Sequence, residues 1–114
     1  MGNTLTDMPT ILIAEDNLSN YLLFEFLLKK TYRLIHAKNG IEAIEFFKAN
    51  SPQLILMDIK MPEMDGFEAT TEIRKYSQEI PIIAITAYAF DRDKEKILNN
   101  GFNDYLAKPV NAEQ

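Results

Sequence analysis

Apolar residues recur along this chain in two alternating rhythms, and the alternation predicts the architecture. Short, nearly continuous apolar runs closed by polar or turn-forming residues read as buried strands: TILIAED, YRLIHA, SPQLILMD, IPIIAIT and NDYLA. Between them lie segments spaced for helices. NLSNYLLFEFLLKK has apolar residues at Leu18, Tyr21, Leu22, Leu23, Phe26 and Leu27 and reads as a helix packed against the rest. NGIEAIEFFKAN carries Ile41, Ile44 and Phe47 on one side, GFEATTEIRKYS follows, and the charged DRDKEKILNNG is stopped by Gly101. Strand and helix in regular alternation, with short links, mean a parallel sheet covered by helices on both faces, because each crossover lays its helix on the sheet. The predicted fold class is α/β, a doubly wound five-stranded parallel sheet over residues 10–114, with residues 1–9 a disordered leader or linker. After Lys108 and Pro109 only VNAEQ remains, less than two helical turns, so a fifth helix is expected to be truncated or missing.

The polar residues that close these strands collect at one edge. Glu15 and Asp16 follow the first strand, Asp58 ends the third, Thr86 ends the fourth, and Lys108 lies just past the fifth. All are carboxyl ends, and in a parallel sheet those ends share one rim. For strand order 2-1-3-4-5 the ligand crevice lies between strands one and three, at Glu15, Asp16 and Asp58. The rigid third strand is expected to present Asp58 as an exposed acid. Three carboxylates so close raise one another's pKa unless a cation is present. An all-oxygen set with no Cys or nearby His favours a hard cation, Mg²⁺ first and Mn²⁺ or Ca²⁺ next. A lysine and a hydroxyl on the same rim suit phosphoryl oxygens, and the whole set spells phosphoryl transfer to an aspartate.

Plainer roles exist for each residue alone. Asp58 could cap a turn, Asp16 or Asn17 could cap the first helix, Thr86 could cap a helix, and the Lys108 stem could cover apolar surface. Tyr105 reads as a half-buried edge aromatic. His36 reads as structural and far from the rim, and Met57, Met61 and Met64 as gap-filling core and loop packing.

Composition narrows the function class. Hydrophobic residues at 46% and charged residues at 25% are the mixture of a chain that folds, and 114 residues suffice for one domain but not two. A net charge of −5 argues against a surface built to neutralise nucleic-acid phosphates or anionic lipid. The absence of cysteine removes disulfides, thiolate zinc sites and a Cys nucleophile. No apolar run is long enough to span a membrane and no signal peptide is present, so the expected location is cytoplasmic.

The segments ILIAEDN, NGIEAIE, LILMDIKMPEMDG, IIAITA and DYLAKPV, in this order and spacing, resemble the receiver domain of two-component response regulators from about Thr10 to Val110. The flavodoxin-like fold belongs to that resemblance. It implies that Asp58 accepts a phosphoryl group from a phosphohistidine on a partner histidine kinase or histidine phosphotransfer protein. It implies that Asp16, Asp58 and the backbone carbonyl of Lys60 bind Mg²⁺ directly, with Glu15 acting through water. Thr86 and Lys108 would contact the phosphoryl oxygens, and Tyr105 would change rotamer as Thr86 moves. The Lys108–Pro109 bond would be cis. Lys60 and Tyr88 occupy positions that in the family tune the loss of the phosphoryl group, and Glu15 stands where Asp is frequent in that family. AEDNLSNYLL and ITAYAFDRDKEKILNNGFNDYLAKPV look more like receivers fused to sensor histidine kinases than stand-alone regulators.

As a switch, two new charge-assisted hydrogen bonds, through Thr86 and Lys108, would supply roughly 3–6 kcal/mol, against about 5.5 kcal/mol needed to invert a 1:99 equilibrium. The chain alone would not be a turnover enzyme beyond its own phosphorylation and dephosphorylation, although a parent chain could be a histidine kinase. The alternative is a receiver that never takes phosphate and serves as an interaction module; its usual sign, a missing acid or lysine, is absent. An aspartate phosphatase would commonly carry a second acid two residues on, where Lys60 stands, and no GxxxxGK[ST] loop is present.

Overall fold

The structure, a computed structural model, describes residues 8–87 and 91–108. Expectations about residues 1–7 of the leader, Tyr88, the Lys108–Pro109 bond and a fifth helix lie outside the described residues. Among the described residues five strands alternate with four helices: β1 (Thr10–Ala14), α1 (Leu18–Leu28), β2 (Arg33–Ala37), α2 (Gly40–Asn50), β3 (Leu54–Asp58), α3 (Gly66–Arg74), β4 (Ile82–Thr86), α4 (Asp91–Asn99) and β5 (Asp104–Ala107). All neighbouring strands pair in parallel, in the order β2-β1-β3-β4-β5. This is the doubly wound, flavodoxin-like arrangement that the sequence predicts. Among the described residues no helix is long and apolar enough to cross a membrane.

The strands place alternate side chains on opposite faces, so each builds two cores at once. Leu12, Ala14, Ile55, Met57, Ile82 and Ala84 meet Ala43 of α2, Ala69 and Ile73 of α3 and Ile97 of α4 in the larger cluster. Ile11, Ile13, Leu56 and Ile85 point the other way and pack with Tyr21 and Phe24 of α1. The near-continuous apolar strands thus follow from a sheet covered on both faces. Met57 and Met61 are buried in the larger core, and Met64 packs against it.

Two predicted packing faces are corrected. In α1 the residues facing inward are Tyr21 and Phe24, while Leu18, Leu22 and Phe26 are exposed, Phe26 at 74%. In α2 only Ile41 departs from the predicted face and is exposed; Ile44 and Phe47 pack, partly buried, against the larger core beside buried Gly40 and Ala43. Both helices carry apolar residues on more than one side, so helical spacing alone selects no single face.

Local chemistry fixes the helix ends that frame the rim. Asn17, rather than Asp16, caps α1, its side chain accepting from Asn20 N at 3.0 Å. Asp65 caps α3 through a reciprocal box with Glu68. Gly66 begins α3 directly against the end of β3. Its backbone N–H donates to Ile59 O at 2.8 Å, and a Cβ there would overlap the carbonyl oxygen of Asp58. The chain after Asp58 can therefore turn back sharply only with glycine at this position. At the opposite end of α3, the Arg74 guanidinium donates to Ser77 O, Ile80 O, Gly101 O and Asn103 Oδ1, fastening α3 to the start of β4 and to the α4–β5 turn.

Candidate functional site

Strand register delivers the rim residues to one place. Ala14 lies beside Met57, Asp58 beside Ile85, and Thr86 beside Ala107. Glu15, one residue past β1, extends the ladder by donating from its N–H to Ala37 O at 2.9 Å. Lys108 is held likewise, its N–H donating to Thr86 O at 2.8 Å. Glu15, Asp16 and Asp58 each offer a carboxylate oxygen within 4.8 Å of the others.

The expectation of an exposed acceptor is corrected: Asp58 is only 2% exposed and Glu15 is fully buried, whereas Asp16 is exposed. The Asp58 carboxylate lines a cavity of about 250 Å³ with Thr86, Lys60 and Lys108. It is fixed from two sides. Lys60 N donates to Oδ1 at 3.2 Å, and Lys108 Nζ donates to Oδ2 at 3.0 Å. Lys108 Nζ also lies 3.5 Å from Glu15 Oε1. Thr86 is buried at the end of β4. Tyr105, half-buried on the edge strand β5, lies under Lys94, whose Nζ is 5.5 Å from the ring centroid.

The electrostatics show a site short of positive charge. Burial pushes the Glu15 carboxyl up to about 7, helped by the neighbouring Asp58 carboxylate, against the opposing pull of Asn17 N and Lys108. Burial disfavours the Lys108 ammonium, yet the hydrogen bond and charge of Asp58 and the charge of Glu15 outweigh burial and leave its pKa raised. Glu15 Oε1 is buried without a hydrogen-bond partner, while Oε2 accepts from Asn17 N at 3.2 Å. A buried carboxylate oxygen that takes no hydrogen bond and has only the Lys108 ammonium at 3.5 Å, beside two further carboxylates, fits a hard divalent cation, since one cation supplies both a coordination partner and the missing charge.

His36 is also placed differently from the expectation. It is one residue from the carboxyl end of β2, its Nε2 lies 2.8 Å from the backbone oxygen of Glu15, and its ring stacks on Tyr21 with centroids 3.8 Å apart. It therefore buttresses the acidic edge. The strand pairing of Ile13 with His36 brings it there, a relation invisible until β1 and β2 are in register. Phe67 and Lys96, which no motif in the sequence singles out, form part of the cavity wall. The only local signal was the Gly-Phe pair that opens α3.

This geometry agrees with the comparisons. Residues 11–114 match the response regulator receiver domain family. The chain is 45% identical over 114 residues to hybrid signal transduction histidine kinase B of Dictyostelium discoideum, covering 88% of this chain but spanning 6% of that protein. It is 38% identical over 109 residues to the polar-differentiation response regulator DivK of Brucella anthropi, covering 92% of this chain and 89% of that protein. Among solved structures it is similar to the receiver domain of sensor histidine kinase PA1611 from Pseudomonas aeruginosa, crystallised with a magnesium ion coordinated in its active-site cleft. That match has a TM-score of 0.84 and 40% identity, over 92% of this chain and 88% of that one. It is also similar to the receiver domain of Ssk1 in complex with the histidine phosphotransfer protein Ypd1 of Saccharomyces cerevisiae, with a TM-score of 0.86 and 36% identity, over 93% of this chain and 83% of that one. The chain belongs to the response regulator receiver domain family of two-component signalling.

Proposed function

We propose that Asp58 is the phosphoryl acceptor and that its modification switches partner binding. The observation that carries this reading is the Asp58 carboxylate, held by Lys60 N and Lys108 Nζ at the wall of a cavity, beside the acidic pair Glu15 and Asp16. In the reaction an Asp58 carboxylate oxygen attacks phosphorus, the P–N bond to the donor imidazole breaks, and the imidazole nitrogen keeps the electron pair and takes a proton. Lys108 offsets negative charge on the acceptor side and Thr86 offers a hydroxyl to a phosphoryl oxygen. Both act from strand ends, so their positions are set before the donor arrives.

Asp16 and Asp58, with the Lys60 backbone carbonyl, would hold Mg²⁺, and Glu15 would act through water. The ion would neutralise charge on the transferring group. The magnesium-containing receiver of the sensor kinase supports this assignment, and the receiver bound to a phosphotransfer protein supports a phosphohistidine protein as donor. Tyr105 is the aromatic that would follow Thr86, and residues 10–114 form the receiver unit. A cytoplasmic location and a parent hybrid histidine kinase complete the reading.

Intact mass after incubation with Mg²⁺ and a small phosphodonor tests it. Wild type should gain one phosphoryl group and Asp58→Asn none. Equal gain in both, or no gain in wild type, would overturn the acceptor assignment.

A further inference from the structure

The acceptor cavity has a wall that the strand ends do not supply. Helix α4 contributes Ile97, buried at 2% exposure, and next to it Lys96, exposed to solvent. Lys96 Nζ sits 4.7 Å from the centroid of the Phe67 ring, a distance at which an ammonium is attracted by the ring face. Phe67 is itself held edge-on against Phe102, with centroids 5.8 Å apart and planes at 87°. The lysine is thus perched on a braced aromatic rather than free to sweep through solvent.

That perch stands where two spaces meet. Lys96, Phe67 and Lys60 line the cavity that holds Asp58, and the same three residues line an open cleft of about 520 Å³ reaching Asp16 and Asp65. A donor approaching Asp58 through this cleft meets a chain of net charge −5 and a cluster of three carboxylates, which repel a phosphoryl dianion. Lys108 is already engaged with Asp58 and Glu15 deeper in the site. Positive charge at the mouth comes instead from Lys60 and Lys96, the two lysines that line both spaces, and of these Lys96 is the one seated on the Phe67 ring.

We propose that Lys96 is a steering residue: from its seat on Phe67 it draws the anionic phosphoryl group of the donor through the mouth of the cavity toward Asp58. The proposal rests on the acceptor role of Asp58. Lys96 acts on approach and not on bond-making, so its removal slows phosphoryl gain only while its charge is felt. Steering by charge is lost once ionic strength shortens the screening length.

The test follows the rate of phosphoryl gain from a small dianionic phosphodonor at saturating Mg²⁺, by intact mass, at about 0.01 M and about 1 M ionic strength, where screening lengths are about 30 Å and about 3 Å. Lys96→Gln should be about three- to tenfold slower than wild type at low ionic strength and equal to it at high. Lys96→Arg, which keeps the cation and the aromatic contact, should stay within about twofold of wild type throughout. Equal rates for Lys96→Gln and wild type at low ionic strength would end the steering role while leaving Asp58 as acceptor. So would a Lys96→Arg protein as slow as Lys96→Gln. If wild type gains no phosphoryl group at all, the acceptor reading fails and steering falls with it.

Discussion

Lys108 is bonded to Asp58: Nζ donates to Oδ2 at 3.0 Å, across 50 residues of sequence. The switch energetics change accordingly. A contact already made in the unphosphorylated protein cannot count in full as a gain under the proposed phosphorylation. With Lys108 already engaged, the gain falls below the roughly 3–6 kcal/mol of two new charge-assisted bonds and short of the about 5.5 kcal/mol that inverts a 1:99 equilibrium, so a partial population shift is the expected response.

Removing the ammonium exposes what it compensates. Lys108→Ala leaves the buried Asp58 and Glu15 carboxylates facing each other, and in metal-free buffer at pH 8 it should lose roughly 1–3 kcal/mol of stability. Thermal unfolding with chelator and then with added Mg²⁺ checks this, with part of the loss recovered by the cation. A variant as stable as wild type in chelator would contradict the charge-balance account of the site.

Glu15 makes stability fall as pH rises. Its carboxyl titrates at about 7 in the folded chain against an ordinary value of 4.5. Below 4.5 both folded and unfolded chains hold the proton, and the stabilising contribution is complete. Between 4.5 and 7 the unfolded chain releases the proton while the folded one retains it, so each increment of pH favours unfolding; above 7 the contribution is gone. Urea unfolding across pH 4.5–8 in chelator should show this decline, and Glu15→Gln should flatten it. A wild-type profile with no slope in that window would refute the shift.

Thr86 is where phosphorylation and response should separate. Thr86→Ala removes a buried hydroxyl at the end of β4 but leaves Asp58, Lys108 and the acidic pair in place. It should accept the phosphoryl group and lose about 1.5–3 kcal/mol of coupling, roughly 10- to 150-fold in the ratio of partner affinities between the two states. Binding measured before and after phosphorylation decides. An unchanged ratio would mean that the signal leaves the site by another route.

Gly66 tests the mount of Asp58, the proposed acceptor. A methyl group there meets the Asp58 carbonyl, which is backbone and cannot swing away. Gly66→Ala should cost roughly 1–3 kcal/mol and slow phosphoryl gain by moving Asp58, whereas Thr71→Ala, at an exposed position of the same helix outside its cap, should do neither. Denaturant unfolding and phosphorylation rates on both variants make the comparison.

Much of this protein was legible in local patterns. The element order, the parallel sheet and the residues that close each strand follow from runs and spacings a few residues long, because strand and helix impose periods of about 2 and 3.6 on whatever they bury. Strand order then brings Glu15, Asp58, Thr86 and Lys108 to one edge, whatever the details of packing. Depth and orientation could not be read this way. Phe24 rather than Leu22 or Phe26 faces inward on α1, since a helix apolar on several sides takes its buried face from the sheet it meets. Asp58 is buried rather than exposed, because Lys108, Thr86 and the α4 residues close around it from positions far along the chain. His36 reaches Glu15 through strand register, and Lys96 reaches the cavity through the seat offered by Phe67. Periodicity is a property of neighbours in sequence, and it settled which elements form; burial, charge balance and the walls of the cavity are properties of neighbours in space, and only the packed fold decided them.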